Sequence, residues 1–347
     1  MPSISAIRSS LVAATLAALT AACAEAPPPV IAPPPPAAPS VTLSPRLIEQ
    51  AAAYRRYMDR ATGIAPSFAD GASIAQSLEA GVAYEPGQLV RGAIAYAAVV
   101  ALQDQAFVEG VCVYAKNPAS RREVAYELMK DPAYAVGLPN SAGAAGLVMA
   151  AIGGDGQRLY DGGKAVKQSA YDIQKAAWSK GEVPARDLRL TRAKTLSAST
   201  MMGDTAETTR LQQASIGATP LGFSAQPAAP PYTPTVVRGL AIAALAALGE
   251  AGDANLEPIL ALTSEPNVSN CMGMSKLNLY QCLAVSRPHY EDVFCLGQHV
   301  MMDTGRCVIR AAGLPEPYEA RFVPSQESID KGMQTKKPAA RKPKRKG

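Results

Sequence analysis

The chain has 347 residues, of which 48% are hydrophobic but only 5% are aromatic, and its formal net charge is +5. Much of this mild charge lies in residues 331–347, so the global charge gives no case for a nucleic-acid-binding protein. Alanine carries much of the hydrophobic count. Because alanine is the best helix former and is depleted in strands, the composition predicts an all-α protein, an alanine-rich helical bundle.

Residues 1–22 have the plan of an export signal. A short polar start that contains Arg8 precedes the apolar run 11–19, and small residues follow it. The run is shorter than the roughly 20 apolar residues that span a bilayer. Residues 23–43, which include the proline-rich tract from Pro27 to Pro39, are predicted to be an extended, semi-rigid tether.

The box Thr20-Ala21-Ala22-Cys23 resembles the cleavage site of bacterial lipoprotein signal peptides, although Thr20 stands where that family favours leucine. The resemblance covers only the first two dozen residues. It implies cleavage before Cys23, attachment of lipid to that cysteine, and an outer-membrane lipoprotein that faces the periplasm. Ordinary cleavage near Cys23 would instead release a soluble periplasmic protein, and this alternative remains open.

A helical domain is predicted over residues 44–216. Ser44 followed by Pro45 is a favourable helix start, and the first helix is predicted to continue to Asp59. Further helices are predicted at about 69–79, 87–116, 117–131, 141–152, 156–161, 163–180 and, with mostly polar residues, 186–215. The middle of the helix 87–116 is apolar on all sides, which is typical of a buried core helix.

Glycine and proline predict the breaks in this pattern. The stretches Gly153-Gly-Asp-Gly156 and Asp161-Gly-Gly163 are expected to interrupt the helices. The proline-rich residues 217–234 are expected to link the first domain to a helical subdomain, residues 235–315. Cys112 is isolated in the sequence, and we expect it to be buried as a small hydrophobic residue.

Four cysteines lie in the stretch 270–313, a pattern that in an exported protein is typical of a disulfide framework. Cys271 and Cys282 would be roughly 16 Å apart on one straight helix, which is too far for a bond. In an antiparallel hairpin that turns at Arg287-Pro288, Cys282 and Cys295 are nearly equidistant from the turn.

Cys271 and Cys307 are also nearly equidistant from that turn. The geometry therefore favours nested pairing, with Cys282–Cys295 inside Cys271–Cys307, in a C-terminal disulfide-stapled helical hairpin. Sequential pairing is the alternative, and it needs broken helices. The helical phase from Cys295 to Cys307 is poor, and we expect the second helix to end near Gly305, which would correct it.

Both histidines of the chain lie in the same block. On the second helix Asp292, His299 and Asp303 are predicted to fall within about 40° of one another. We favour an ordinary hydrogen-bonded helix face. The alternatives are a carboxylate-oriented histidine for acid–base catalysis, or a metal site of these three residues with His289 nearby. From the sequence we assign no catalytic residue, cofactor or metal.

The basic residues 316–347 are predicted to be a disordered tail, which either contacts anionic envelope polymers or only solubilises the chain. The sequence contains no Gly-x-Ser-x-Gly, phosphate-loop or His-Glu-x-x-His motif. We therefore expect a structural or interaction role in the cell envelope, with no specific nucleic acid. The alternatives are an envelope-acting hydrolase that uses His299 with Asp292 or Asp303, and a periplasmic small-ligand binder.

Overall fold

Local capping signals determine where several helices begin. The Ser44 hydroxyl accepts a hydrogen bond from the backbone N–H of Arg46, and Pro45 occupies the first position of the first helix. The Asn117 side chain accepts a hydrogen bond from the backbone N–H of Ala119 at 2.8 Å, again before a proline. These side chains satisfy backbone donors that have no partner within the helix.

The structure is a computed structural model and describes residues 40–318, all of which belong to one compact unit. The predicted signal, the tether up to residue 39 and the tail beyond residue 318 lie outside the described residues. The α-helices are α1 Pro45–Thr62, α2 Gly71–Val82, α3 Pro86–Ala101, α4 Gln105–Ala115, α5 Pro118–Lys130, α6 Ser141–Ile173, α7 Arg186–Ser197, α8 Thr205–Ser215, α9 Pro234–Ala247, α10 Leu256–Leu262, α11 Pro266–Val285, α12 His289–Cys295 and α13 Asp303–Ala311.

Within residues 40–318 the structure contains these thirteen α-helices, short 3₁₀ segments, one π-helical segment and no strand. The predicted all-α class is therefore confirmed. The two alanine-rich helices α3 and α9 lie at the centre of the core, and most residues of both are buried. They approach closely because Gly239 has no side chain: a Cβ atom there would lie 2.6 Å from the Cβ atom of Ala97.

The predicted helix 87–116 is two helices. It breaks at residues 102–104, where Asp104 accepts a hydrogen bond from the backbone N–H of Phe107 at 2.8 Å and starts α4. The axes of α3 and α4 differ by 87°. Among the described residues no single helix is long and apolar enough to cross a bilayer, and only this bent pair reaches that length and composition when both helices are counted together.

Both predicted glycine breaks lie within one continuous helix, α6, which is 33 residues long. Gly156 and Gly163 lie inside it and face the C-terminal hairpin. A Cβ atom on Gly163 would be 2.9 Å from the carbonyl oxygen of Gly297, and one on Gly156 would be 2.9 Å from that of Gly305. The glycines therefore serve as a site of close helix packing, and the expectation of two turns was wrong.

Asp155, which lies in the first of the predicted breaks, is buried in the middle of α6. Its carboxylate accepts a hydrogen bond from the Tyr54 hydroxyl at 2.9 Å and from the Arg55 guanidinium at 2.7 Å. It also pairs with Arg158, one turn further along α6. A buried charge is tolerated when it is paired and hydrogen bonded, so this cluster fixes α6 against α1.

The proline-rich residues 217–234 do not separate two compact units. They connect α8 to α9 and pack on α6, where the backbone N–H of Ala228 donates to the carbonyl of Ala142 at 2.9 Å. Helices on both sides of this segment contribute to the same hydrophobic core. Close packing of α9 on α3 is the physical reason, because neither helix buries its apolar surface alone.

Candidate functional site

The C-terminal hairpin contains most of the residues that the sequence analysis singles out. Its first arm is α11. Its second arm continues from α12 through the π-helical segment Leu296–Met302 into α13 without a break. Residues 286–288 connect the two arms, close to the predicted turn.

Two disulfides join these arms. Cys271 is bonded to Cys307, Cys282 is bonded to Cys295, and the Cα atoms of each pair are 5.8 Å apart. This is the nested arrangement predicted above. The inner bridge lies near the turn and the outer bridge near the far end of the hairpin, so both arms are held along most of their length.

The π-helical segment sets the phase of the second arm. In a regular α-helix two residues twelve apart, such as Cys295 and Cys307, would differ in direction by about 120°. A π-helix has wider hydrogen-bonded turns and therefore rotates less per residue. The segment thus brings both cysteines to face α11. The predicted helix end near Gly305 is wrong, because Gly305 lies inside α13.

His299 lies in the π-helical segment and is paired with Asp303. The Nδ1 atom of His299 is 2.8 Å from Oδ2 of Asp303, and Gln298 donates to the other carboxylate oxygen at 2.9 Å. Burial acts to raise the pKa of Asp303, but the hydrogen bonds from His299 and Gln298 outweigh it and hold the pKa below its usual value. In the tautomer that carries hydrogen on Nδ1, His299 donates this hydrogen bond to Asp303, and Nε2 is the acceptor atom of the ring.

Asp292 does not join this pair. It is buried and forms an ion pair with Arg189 of α7, and it accepts a hydrogen bond from the Ser286 hydroxyl at 2.8 Å. Burial raises the pKa of Asp292 above its usual value despite the charge of Arg189. Arg189 also donates to the carbonyl of Leu283. Asp292 therefore fastens α7 to the turn of the hairpin.

His289 lies apart from the His299–Asp303 pair, at the start of α12. Its ring faces Trp178 with a centroid separation of 6.3 Å, and its backbone N–H donates to the carbonyl of Gly181. Within residues 40–318, no group of three or more His, Cys, Asp or Glu residues is arranged to hold a metal ion. Cys112 is partly buried, and its sulfur lies 3.5 Å from the carbonyl oxygen of Ala247.

A cavity of about 210 Å³, which no pattern noted in the sequence predicted, lies between α1 and the segment that connects α7 to α8. Arg56 and Arg60 of α1 line it together with Ala83 and residues 199–202. None of its lining residues is acidic. The sequence contains one signal for it. Two arginines four residues apart lie on one face of a helix and repel each other, which destabilises the helix slightly.

No protein-family model matches the chain, and neither a curated protein sequence nor a solved structure is significantly similar to it.

Proposed function

We propose that this chain is an exported bacterial envelope protein, anchored by a lipid on Cys23, with a structural or interaction role. The nested disulfides Cys271–Cys307 and Cys282–Cys295 are the observation that carries the proposal. Disulfides of this kind form and persist in oxidising compartments such as the periplasm, and they are rare in the bacterial cytosol. The export-signal pattern of residues 1–22 is consistent with that compartment.

The outer face of α11 supports an interaction role. Met274, Leu277 and Val285 are exposed on one side of this helix. The charged residue of α11, Lys276, is buried on the opposite side. The amide side chains of Asn270 and Gln281 are exposed on the same side, so this face is uncharged and mixes apolar with polar groups. Apolar side chains that are exposed together are typical of a surface that contacts another molecule. The disulfides beneath it keep this face rigid.

The first test is the intact mass of the mature protein from its own host, measured with and without reduction. A chain that begins at Cys23 and carries a diacyl or triacyl addition is the expected result, with a mass difference of two disulfides on reduction. Cys23→Ser removes the acceptor and should shift the protein from the membrane fraction to the periplasmic fraction. An unmodified chain that retains residues 1–22 and remains in the cytosol would overturn the proposal.

A hydrolase that uses His299 is the second candidate, and the His299–Asp303 hydrogen bond is the observation that favours it. Hydrolysis also needs a nucleophile or an activated water, and no Ser, Thr or Cys side chain of the described residues is hydrogen bonded to His299. His299→Ala separates the two candidates. An enzyme would lose turnover of envelope material at unchanged stability, whereas a scaffold would keep its envelope association.

A further inference from the structure

We propose that the cavity between α1 and residues 199–202 binds the phosphate group of a small phosphomonoester through Arg56 and Arg60. The inference concerns the folded chain itself and does not rest on export or lipid attachment.

Among residues 40–318, no carboxylate pairs with the two arginines of the cavity. Arg60 donates to the carbonyl of Ala83 at 2.8 Å, and Arg56 lies 3.3 and 3.4 Å from the carbonyls of Met202 and Gly203. The Arg60 guanidinium also lies over the ring of Tyr57, which lines the cavity too, at 5.8 Å from the ring centre. The neighbouring Asp59 is paired with Arg55 at 2.6 Å instead. Burial lowers the pKa of Arg60, and the like charge of Arg56 lowers it further.

The geometry fits an oxyanion. Arg56 and Arg60 lie one turn apart on the same face of α1, so their Cβ atoms are about 6 Å apart. Each guanidinium presents several N–H donors in a plane that matches the oxygens of a phosphate. Both side chains are exposed and accessible from solvent. Two positive charges match the charge of a phosphomonoester, which approaches −2 at neutral pH.

The opposite wall of the cavity is held in place. The side-chain amide of Gln88 donates to the carbonyl of Met201 at 2.6 Å and accepts from its backbone N–H at 2.7 Å. Gly203 packs directly on α1, where a Cβ atom would lie 2.6 Å from that of Ala52. A wall that is already ordered lowers the entropic cost of binding a ligand. The Thr200 hydroxyl on this wall makes no hydrogen bond within the described residues and is available to a ligand.

The cavity is large enough for more than the phosphate group alone. Its volume of about 210 Å³ leaves space for a short organic substituent, and Ala53 and Met202 provide apolar contacts for it. The same phosphate chemistry occurs on a soluble metabolite and on a lipid headgroup. The test therefore consists of one experiment for each source of the phosphate group.

The test compares full-length chains that differ in one arginine. Inorganic phosphate and glycerol 1-phosphate are titrated calorimetrically into the wild type, Arg56→Gln and Arg122→Gln. Arg122 is exposed on α5 and is the matched control, since its substitution removes the same charge at a remote place. All three chains retain the basic tail, so any binding of phosphate to the tail cancels in the comparison.

We expect Arg56→Gln to weaken the binding of glycerol 1-phosphate about tenfold or more, and Arg122→Gln to leave it unchanged. Arg60→Gln should weaken it similarly. Arg56→Gln provides the safer test, because Arg60 also contacts the end of α2. Equal affinity of Arg56→Gln and Arg122→Gln, or no binding by the wild type, would overturn the proposal.

A second experiment measures flotation of the same chains with vesicles of phosphatidylcholine alone or with added phosphatidic acid. Loss of phosphatidic-acid binding in Arg56→Gln, but not in Arg122→Gln, would identify a lipid headgroup as the source. Arg56-dependent binding of glycerol 1-phosphate without such vesicle binding would identify a soluble ester. Vesicle binding that is equal in the two variants would be assigned to the tail. If the calorimetric affinities of the two variants are equal as well, the proposed site is contradicted.

Discussion

The ammonium group of Lys276 donates a hydrogen bond to the carbonyl oxygen of Val82, the last residue of α2. The same group donates to the Ser197 hydroxyl at 3.0 Å and lies 3.4 Å from the centre of the Tyr84 ring. A cation at the C-terminal end of a helix is favourable because the helix dipole is negative there. Lys276 is nevertheless buried, and no carboxylate of residues 40–318 is hydrogen bonded to it.

Lys276→Met should therefore change how stability depends on pH. Burial lowers the pKa of Lys276 well below its ordinary value of 10.5. At pH values between the pKa of Lys276 in the folded chain and its pKa in the unfolded chain, the unfolded chain binds a proton that the folded chain does not. The free energy of unfolding of the wild type should therefore rise relative to that of the variant as the pH approaches 10.5 from below, by up to about 1.4 kcal/mol per pH unit.

Urea unfolding of the two chains at several pH values measures this difference. Lys164→Met is the matched control, because Lys164 is exposed on α6, and its curve should run parallel to that of the wild type. If the curve of Lys276→Met also runs parallel, burial does not lower the pKa of Lys276 in the folded protein.

The two alanine substitutions Gly163→Ala and Gly154→Ala in α6 should have opposite effects. A Cβ atom on Gly163 would lie 2.6 Å from the Cβ atom of Met301 and 2.7 Å from the backbone nitrogen of Met302. This overlap should cost roughly 2 kcal/mol or more, because the hairpin must move. At Gly154 the nearest atom belongs to the flexible Arg158 side chain at 3.4 Å, so alanine should stabilise the helix by up to about 1 kcal/mol.

Thermal or urea unfolding of both variants provides the measurement. Equal destabilisation by the two substitutions would mean that α6 does not present Gly163 to the hairpin.

Removal of either disulfide should destabilise the protein by about 3 kcal/mol, mainly because the unfolded chain gains freedom. The double variants are Cys271→Ala with Cys307→Ala, and Cys282→Ala with Cys295→Ala. Cys112→Ala is the control, since Cys112 is not bonded. Urea unfolding without reductant gives the free energies.

Peptide mapping without reduction tests the pairing directly. Cleavage after Lys276, Glu291 and Arg306 separates the four bonded cysteines into different peptides. The map should show two cross-linked pairs that correspond to the nested pattern. Peptides that join Cys271 to Cys282 would contradict the antiparallel hairpin.

Asp303→Asn should make the protein less sensitive to mild acid. The pKa of Asp303 in the folded protein is lowered, so its contribution to stability is present above its ordinary value of 3.8 and is lost as the pH falls through the folded value. The difference in free energy of unfolding between the wild type and Asp303→Asn should therefore decrease as the pH falls from about 5 towards 3.

Unfolding by urea across this pH range checks the effect, with Asp172→Asn as the control because Asp172 is exposed on α6. A constant difference between wild type and Asp303→Asn would show that the His299–Asp303 hydrogen bond does not stabilise the charged carboxylate.

Some parts of this structure are determined by signals within one helical turn. Ser44-Pro45 and Asn117-Pro118 begin helices because their side chains cap backbone donors two or three residues away. The nested cysteine pairs follow from their equal distances to the turn at Arg287-Pro288, which can be counted along the sequence although the paired cysteines are 13 and 36 residues apart. The all-α class follows from alanine content for the same reason.

Other parts are decided only when helices pack on each other. Glycine in a helix costs about 1 kcal/mol relative to alanine, so sequence reasoning placed breaks at Gly156 and Gly163. Close contact of α6 with the backbone of Gly297 and Gly305 outweighs that cost. Packing of α6 on α1 likewise makes Asp155, which lies in one of the predicted breaks, a buried ion-pair partner of Arg55.

The π-helical segment is the clearest case. No short sequence motif predicts a π-helical segment. A regular α-helix would place Asp292, His299 and Asp303 on one face. Instead the disulfides and the glycine contacts together require a second arm that rotates less per residue over Leu296–Met302. The local sequence therefore determined that a stapled helical hairpin forms, whereas its phase, and with it the separation of Asp292 from the His299–Asp303 pair, was decided by long-range packing.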